Sequence, residues 1–412
     1  MDNRSKKIFL SLVGFFLFCI GSADTGHAKA ESSCLGKEPG LTIKMGQDAF
    51  LTIDYGFQFH AARRDTGSGS DLTEPTYDFY FRRNRLTLAG QTSEMVSFSI
   101  EFEHAGDRNI QPLEVNQEGN TDYSFLEANI TSDFSKGFKI TAGKEKIPFT
   151  REILEGCFTP LSIDRSLFIY TPMRHSRDLG VVLWGNLANS KFQYRLAAMD
   201  GQNSSNAPES SNHSPRYTAR AHVTLLDPED GYGYGGTYLG TKMILTFGVG
   251  AQYERKAVFN DVTNRTGNKD YSAWTADAFF EYPVGTGGTI TVSGAYLNLS
   301  FDDAYKENNP DPDTSGIDGE KNGWYTKAGY LITDKIGPGQ IQPFVRYEQW
   351  NYALVNGVYN QKIKWLGAGL NYLINGQGLR LSVEYSTTDF DKEQNSASKD
   401  FKTVITMLQY VF

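Results

Sequence analysis

The sequence predicts an all-β fold, a transmembrane antiparallel β-barrel of about 16 strands, and three observations predict it. From about Asp48 onward, runs of roughly ten residues alternate apolar and polar side chains. Between those runs, short Gly/Asn/Ser turns take turns with long polar connections. Beyond the N-terminus, no apolar stretch reaches the roughly 18 residues that a membrane-spanning helix needs. Yet the chain carries 23 Tyr and 27 Phe in 412 residues and is 39% hydrophobic. Its mean hydropathy is only −0.43, so the apolar residues are spread over alternate positions.

Taken in order, the chain opens with Arg4, Lys6 and Lys7, an apolar run from Ile8 to Ile20, and Ala28-Lys29-Ala30 as a small-x-small cleavage site. Residues 1–30 therefore read as a signal peptide. Phe18 before Cys19 is too bulky for a lipid-attachment site. Residues 31–47 follow as a short periplasmic segment, and 48–412 as the barrel. The first 30 residues hold four basic and two acidic side chains, so the formal charge of −8 becomes about −10 without them. A chain this acidic is not a nucleic-acid binder.

Short turns are expected at 91–94, 134–137, 188–191, 284–288, 334–339 and 375–378. Long connections are expected near 64–76, 107–121, 148–178, 201–214, 256–270, 302–320, 352–360 and 389–400. Pairing the runs gives an even strand number with both ends on the short-turn side, as in bacterial outer-membrane barrels. One short-side connection, Pro228 to Thr241 with its Gly-Tyr-Gly-Tyr-Gly-Gly, is longer than this pattern requires.

The alternation assigns the faces, because successive strand residues point to opposite sides. Val96, Phe98, Ile100 and Phe102 interleave with Ser97, Ser99, Glu101 and Glu103, and Leu379, Leu381, Val383 and Tyr385 with Arg380, Ser382, Glu384 and Ser386. In water the apolar set would be an aggregation-prone patch. In a bilayer it is required, and closure pairs every backbone group and removes the edges. The final run, Val404 to Phe412, resembles the C-terminal strand by which outer-membrane barrels are recognised for assembly.

The polar parity set also holds Arg195, Glu254, Asp277, Glu281, Lys327, Arg346 and Glu348. Such a mixed wall predicts a broad, wet pore of modest selectivity. In Tyr80 to Leu86, parity places Arg83 and Arg85 inside and Arg82 outside. An arginine facing lipid costs roughly 2–4 kcal/mol at mid-bilayer. Arg82 therefore either snorkels at a rim or is brought inside by a bulge.

The stretch Ile147 to Asp178 is too long for a tight turn and carries Ile153, Leu154, Phe158, Leu161, Leu167, Phe168 and Ile169. Those residues suit a loop folded into a hollow interior. Its Arg151, Arg165, Arg174 and Arg177 are matched one for one by Glu152, Glu155, Asp164 and Asp178. Those arginines either pair with the loop's own carboxylates or face passing anions, for which a planar, permanently charged fork is suited.

Phe81-Arg82-Arg83-x-Arg85, Gly143-Lys144-x-Lys146-x-Pro148-Phe149-x-Arg151-Glu152, Asp164-Arg165-Ser166, Arg177-Asp178-x-Gly180 and Met199-Asp200-Gly201 together resemble the phosphate-selective porin O and P family. The resemblance implies a 16-stranded, homotrimeric porin in bacterial outer-membrane lipid. Its third long loop would fold inward as the constriction, passing small hydrophilic or anionic solutes such as phosphate. Here that loop is Pro148 to Arg177, and Arg165 looks like the constriction arginine, with Arg151, Arg174 and Arg177 expected beside it and Arg82, Arg83 and Arg85 expected on the pore wall. The resemblance implies no cofactor.

Other chemistries have little support. Asp311, Asp313, Ser315, Gly316 and Asp318 resemble the start of a calcium loop, but Asn322 stands where a bidentate Glu is needed. The histidines show no metal spacing and no nucleophile motif appears, so neither a metal site nor catalysis is expected. Cys34 and Cys157 are a weak pairing signal. The alternative to a porin is a structural or adhesive barrel whose inward loop plugs it.

Overall fold

Residues that alternate between lipid and a polar interior can satisfy their backbone only in a sheet without edges, and the chain builds one. The structure, a computed structural model, describes residues 40–104, 124–169, 176–201, 214–261, 264, 266–302 and 320–412. Its strands are β1 (Leu41–Lys44), β2 (Phe50–Ser68), β3 (Glu74–Ser93), β4 (Val96–His104), β5 (Ser124–Ser135), β6 (Phe138–Lys146), β7 (Arg177–Leu187), β8 (Phe192–Met199) and β9 (Arg216–Thr224). The second half gives β10 (Ile244–Asp261), β11 (Thr266–Val284), β12 (Gly288–Ser300), β13 (Lys321–Ile332), β14 (Gln340–Val355), β15 (Val358–Asn375), β16 (Leu379–Phe390) and β17 (Phe401–Val411).

Strands β2 to β17 each pair antiparallel with their sequence neighbours. The ring closes where β17 meets β2, from Thr403 opposite Arg64 to Val411 opposite Gly56. That makes a closed barrel of 16 strands. β1 lies beside the part of β2 that β17 leaves open, Leu41 opposite Ile53 and Lys44 opposite Phe50. The segment expected to be a periplasmic extension thus contributes a short strand to the seam. Tyr55 and Phe412 exchange backbone hydrogen bonds of 3.0 and 3.1 Å between the two.

The faces follow the alternation. Leu381, Val383 and Tyr385 are exposed on the outside, whereas Arg380, Ser382, Glu384 and Ser386 are buried on the inside. All but one of the charged residues assigned inward by parity are likewise buried, the exception being half-buried Glu103. The outward bands also carry tilted aromatic pairs, Trp274 with Tyr296 and Trp324 with Tyr347, each with centroids 5.0 Å apart. Rings of this kind suit a membrane–water interface.

Three connections differ from expectation. Most of the polar runs near 64–76 and 352–360, and most described residues of 256–270, are continuations of the strands. β2 and β3 are 19 and 20 residues long, and β14 and β15 are 16 and 18, whereas about 9–11 suffice to cross a bilayer. Past the membrane both faces meet water, so polar residues no longer argue against a strand. β14 and β15 are joined by Asn356 and Gly357 alone, at φ of 50° and 74°. Positive φ at both positions matches the twist of a hairpin, which is why Asn-Gly turns so tightly. In β3 the pairing steps from Arg83 opposite Gln58 to Phe81 opposite Phe59. Arg82 is therefore the extra residue of a β-bulge. The connection between β9 and β10, 225–243, is the long one on the short-turn rim.

Candidate functional site

The candidate site is where the segment after β6 meets the inner face of the ring. Phe149 to Phe168 are all buried, and local signals shape them. Thr150 caps a single helical turn, α1 (Arg151–Leu154), its Oγ1 accepting a 3.1 Å hydrogen bond from the Ile153 amide. At the other end, Arg165 Nη1 donates to the carbonyls of Glu152 (3.2 Å), Ile153 (3.4 Å) and Glu155 (3.4 Å). A guanidinium here satisfies carbonyls that a helix of one turn leaves open.

Hydrogen bonds then tie the segment to strands around the ring. Arg220 of β9 donates to the Phe149 carbonyl at 3.1 Å, and Gln409 of β17 to the Phe158 carbonyl at 3.0 Å. β9 and β17 lie eight places apart in the closed order, on opposite sides. Arg380 donates to the Pro160 carbonyl (2.9 Å), Asn371 to the Leu161 carbonyl (2.8 Å), and the Ile163 amide to Glu384 (3.2 Å). Ser166 Oγ donates to Glu348 at 2.8 Å, and Phe168 packs on Tyr325 and Trp350. Gly250 makes room on the wall, since a Cβ there would sit 2.6 Å from the Phe149 carbonyl oxygen.

The charges pair across the fold rather than within the segment. Asp164 accepts from Arg82 Nε at 2.5 Å and Arg83 Nη2 at 2.8 Å, so the bulge brings Arg82 to an inner partner. Glu152 takes Lys327 Nζ at 3.0 Å. Arg151 makes a bidentate pair with Glu229 at 2.7 and 3.0 Å. Arg177 Nε bonds Glu127 at 2.9 Å, and Arg85 pairs with Glu101 at 3.2 Å and with Glu103. The one-for-one matching in sequence is therefore not how these groups are matched in space. Arg174, Cys34 and the acidic loop residues Asp311 to Asp318 lie outside the described residues. Cys157 is buried beside Phe158 and Val411, with Arg177 Nη2 3.7 Å from its Sγ.

Where this segment lies against the wall, the inner face is drier than its mixed charges suggest. Lys327, Arg346, Glu348, Arg380 and Glu384 are each no more than 2% exposed. The cause is the segment itself, which occupies the interior and supplies their partners.

Electrostatics within the segment are uneven. Burial would raise the Asp164 carboxyl, but Arg82, Arg83 and Arg165 hold it well below the usual carboxylate range. Glu155 forms no such ion pair among the described residues: burial, then the neighbouring Glu152 charge, push its carboxyl up to about 7 against the pull of Lys327, Arg151 and Arg165. A carboxyl raised in the folded state favours the protonated form. Its stabilisation is thus complete below the ordinary value near 4.5 and is lost as pH rises through about 7. The effect is on the order of 3 kcal/mol. Amide hydrogen exchange across 149–168, corrected for intrinsic rates, should be slower at pH 5.5 than at pH 8. Glu155→Gln should hold it at the slow rate at both; a pH effect that persists in Glu155→Gln assigns it elsewhere.

A second inward piece, 225–243, contains the surplus short-side connection Pro228 to Thr241. Tyr234 exchanges two backbone hydrogen bonds with the segment, its amide to the Leu154 carbonyl (3.0 Å) and its carbonyl from the Gly156 amide (2.8 Å). Its hydroxyl receives Arg195 at 2.8 Å and Arg220 at 3.1 Å, and Tyr232 OH donates to the Lys146 carbonyl at 2.9 Å. The available signal was its Gly-Tyr density and surplus length.

A family model described as phosphate-selective porin O and P matches residues 53–412. A protein of Aquifex aeolicus strain VF5, itself uncharacterised, is 24% identical over 381 residues, covering 86% of this chain and 84% of that protein. Among solved structures, the anion-selective porin from Comamonas acidovorans superposes with a TM-score of 0.56 at 10% identity, covering 88% of this chain and 100% of that one. The outer-membrane channel DcaP of Acinetobacter baumannii gives 0.55 at 16% identity, covering 91% and 100%. At these identities the superpositions speak to the fold.

Proposed function

The chain belongs to the phosphate-selective porin O and P family, and from that premise we propose that its outer-membrane channel passes small hydrophilic solutes by passive diffusion, with a weak preference for anions such as phosphate. The observation that carries the preference is the crowding of Arg82, Arg83 and Arg165 around the single carboxylate of Asp164. Arg380, also near Asp164, keeps Nε and Nη2 without a hydrogen-bond partner among the described residues.

Cations in a low-dielectric throat count for more than acidic groups in outer connections, which salt screens within about 8–10 Å. The family's description and the name of the Comamonas porin support the same sign. We assign the constriction to the inward segment, with Arg165 beside the solute path and Arg82, Arg83 and Arg85 on the wall. Arg151 and Arg177 act through the ion pairs that hold the segment, and Arg174 belongs to the same stretch. The working unit is a homotrimer in membrane lipid, without cofactor or catalysis.

A second reading, an occluded structural or adhesive barrel, is favoured by the close packing of the inner face. Single-channel recording in planar bilayers separates the two. Discrete conductance steps are expected, with a reversal potential across a salt gradient that indicates anion preference and grows at low ionic strength. Silence would support occlusion, and a cation-selective reversal potential would overturn the proposed sign.

A further inference from the structure

We propose that the connection 225–243 is a second element of the constriction, entering from the short-turn rim, and that Glu229 and Gly236 are positioning residues which hold segment 149–168 at its working distance from the wall. The proposal rests on the channel reading above and adds a determinant of pore width to it.

The two elements start from opposite rims. β6 runs away from the short turn at 136–137, so the segment that follows it enters from the long-connection side, whereas 225–243 joins β9 to β10 on the short-turn side. They meet through the paired backbone of Tyr234 with Leu154 and Gly156. Peptide groups bonded in this way fix a spacing more narrowly than flexible side chains could.

Around that bridge the contacts are charged and buried. Glu229 receives both terminal nitrogens of Arg151 and the hydroxyl of Tyr238, the last at 2.6 Å. Burial alone would raise the Glu229 carboxyl, but Arg151 and these hydrogen bonds hold it at about 2. The Arg151 guanidinium also lies over the rings of Tyr234 and Phe279, at 4.5 and 4.0 Å from their centroids. The far end of the connection is anchored in turn. Glu281 of β11 accepts from the amides of Tyr238 and Gly240 and from Thr237 Oγ1.

Gly236 closes the gap between the two elements. Its amide donates to Thr159 Oγ1 at 3.3 Å, and a Cβ there would lie 2.6 Å from the Thr159 carbonyl oxygen. A methyl at 236 would press first on the Glu155 carboxyl and then on that backbone group of the segment, and it would add no charge. Glu229→Gln does the converse, keeping shape and removing the charge that Arg151 needs.

The test uses the purified full barrel, with heat-modifiable gel mobility to confirm that each variant is folded. Two quantities are read: the labelling rate of the buried Cys157 by a small maleimide, and single-channel conductance in planar bilayers. Slow labelling is expected in the unmodified protein. Labelling at least tenfold faster is expected in both Gly236→Ala and Glu229→Gln, together with a higher conductance. Unchanged labelling in both folded variants would overturn the proposal. So would faster labelling with the conductance of the unmodified protein retained, because 225–243 would then hold the segment without setting the width. If neither the unmodified protein nor the variants conduct, the channel reading itself fails, whatever the labelling rate.

Discussion

Asp164→Ala is expected to raise conductance and to strengthen anion preference more than any other single change in the barrel. Asp164 accepts from Arg82 and Arg83, and its Oδ1 also receives the Arg165 amide at 2.8 Å. Removing it leaves buried guanidinium groups without their carboxylate. Breaking such a pair from one side costs about 3–5 kcal/mol. The cost need not unfold a sheet closed by 16 strands, but it exceeds the few hydrogen bonds that hold residues 160–165 to the wall. The stretch should therefore shift, and the uncovered charge should attract anions. The measurement is the reversal potential across a salt gradient at two ionic strengths, alongside single-channel conductance. An unchanged reversal potential would place Arg82 and Arg83 away from the solute path.

Arg165→Glu should act in the opposite direction. The substitution removes the donor to two carbonyls of α1 and to that of Glu155 just after it, and puts a carboxylate against those same oxygens, near Glu152 and Asp164. Like charges and unpaired acceptors disfavour the packed position, so two effects should appear together. Selectivity should move towards cations, and amide exchange in 150–155 should accelerate as α1 loses its C-terminal partner. Arg165→Gln separates them, since an amide can donate to a carbonyl without restoring the charge. If exchange accelerates in Arg165→Glu and selectivity does not move, Arg165 holds the segment's shape and the anion path runs elsewhere.

What the sequence revealed and what it concealed divide along a physical line. Facing was legible because lipid on one side and a polar interior on the other act on every second residue. Leu381, Val383 and Tyr385 alternate with Arg380, Glu384 and Ser386 for that reason, and the turns at 188–191 and 284–288 fall where the alternation stops. Beyond the bilayer that pressure ends. Asn356-Gly357 was accordingly read as part of a long polar connection, although the dipeptide is itself a hairpin signal. Partnership was concealed altogether. Glu229 lies 78 residues from Arg151, and Lys327 lies 175 from Glu152. No periodicity links such positions, so the near arrangement of acids and bases within 147–178 suggested pairs that the fold does not make. The backbone bridge at Tyr234 leaves even less trace, because it uses no side chain.

The seam between β2 and β17 bears on when these contacts can exist at all. Gln58 and Gln409, joined side chain to side chain at 2.7 Å, are separated by 351 residues. A pairing so remote has to overcome the loop-closure entropy of nearly the whole barrel before it is rewarded, which makes it a slow step. The inward segment needs β9 on one side and β16 and β17 on the other, so it has no complete binding surface until that step is done. During biogenesis its buried charges therefore remain hydrated, and the interior is furnished only after the wall is closed. Variants that loosen the interior should for this reason still assemble, whereas those that weaken the seam should be lost before the interior forms.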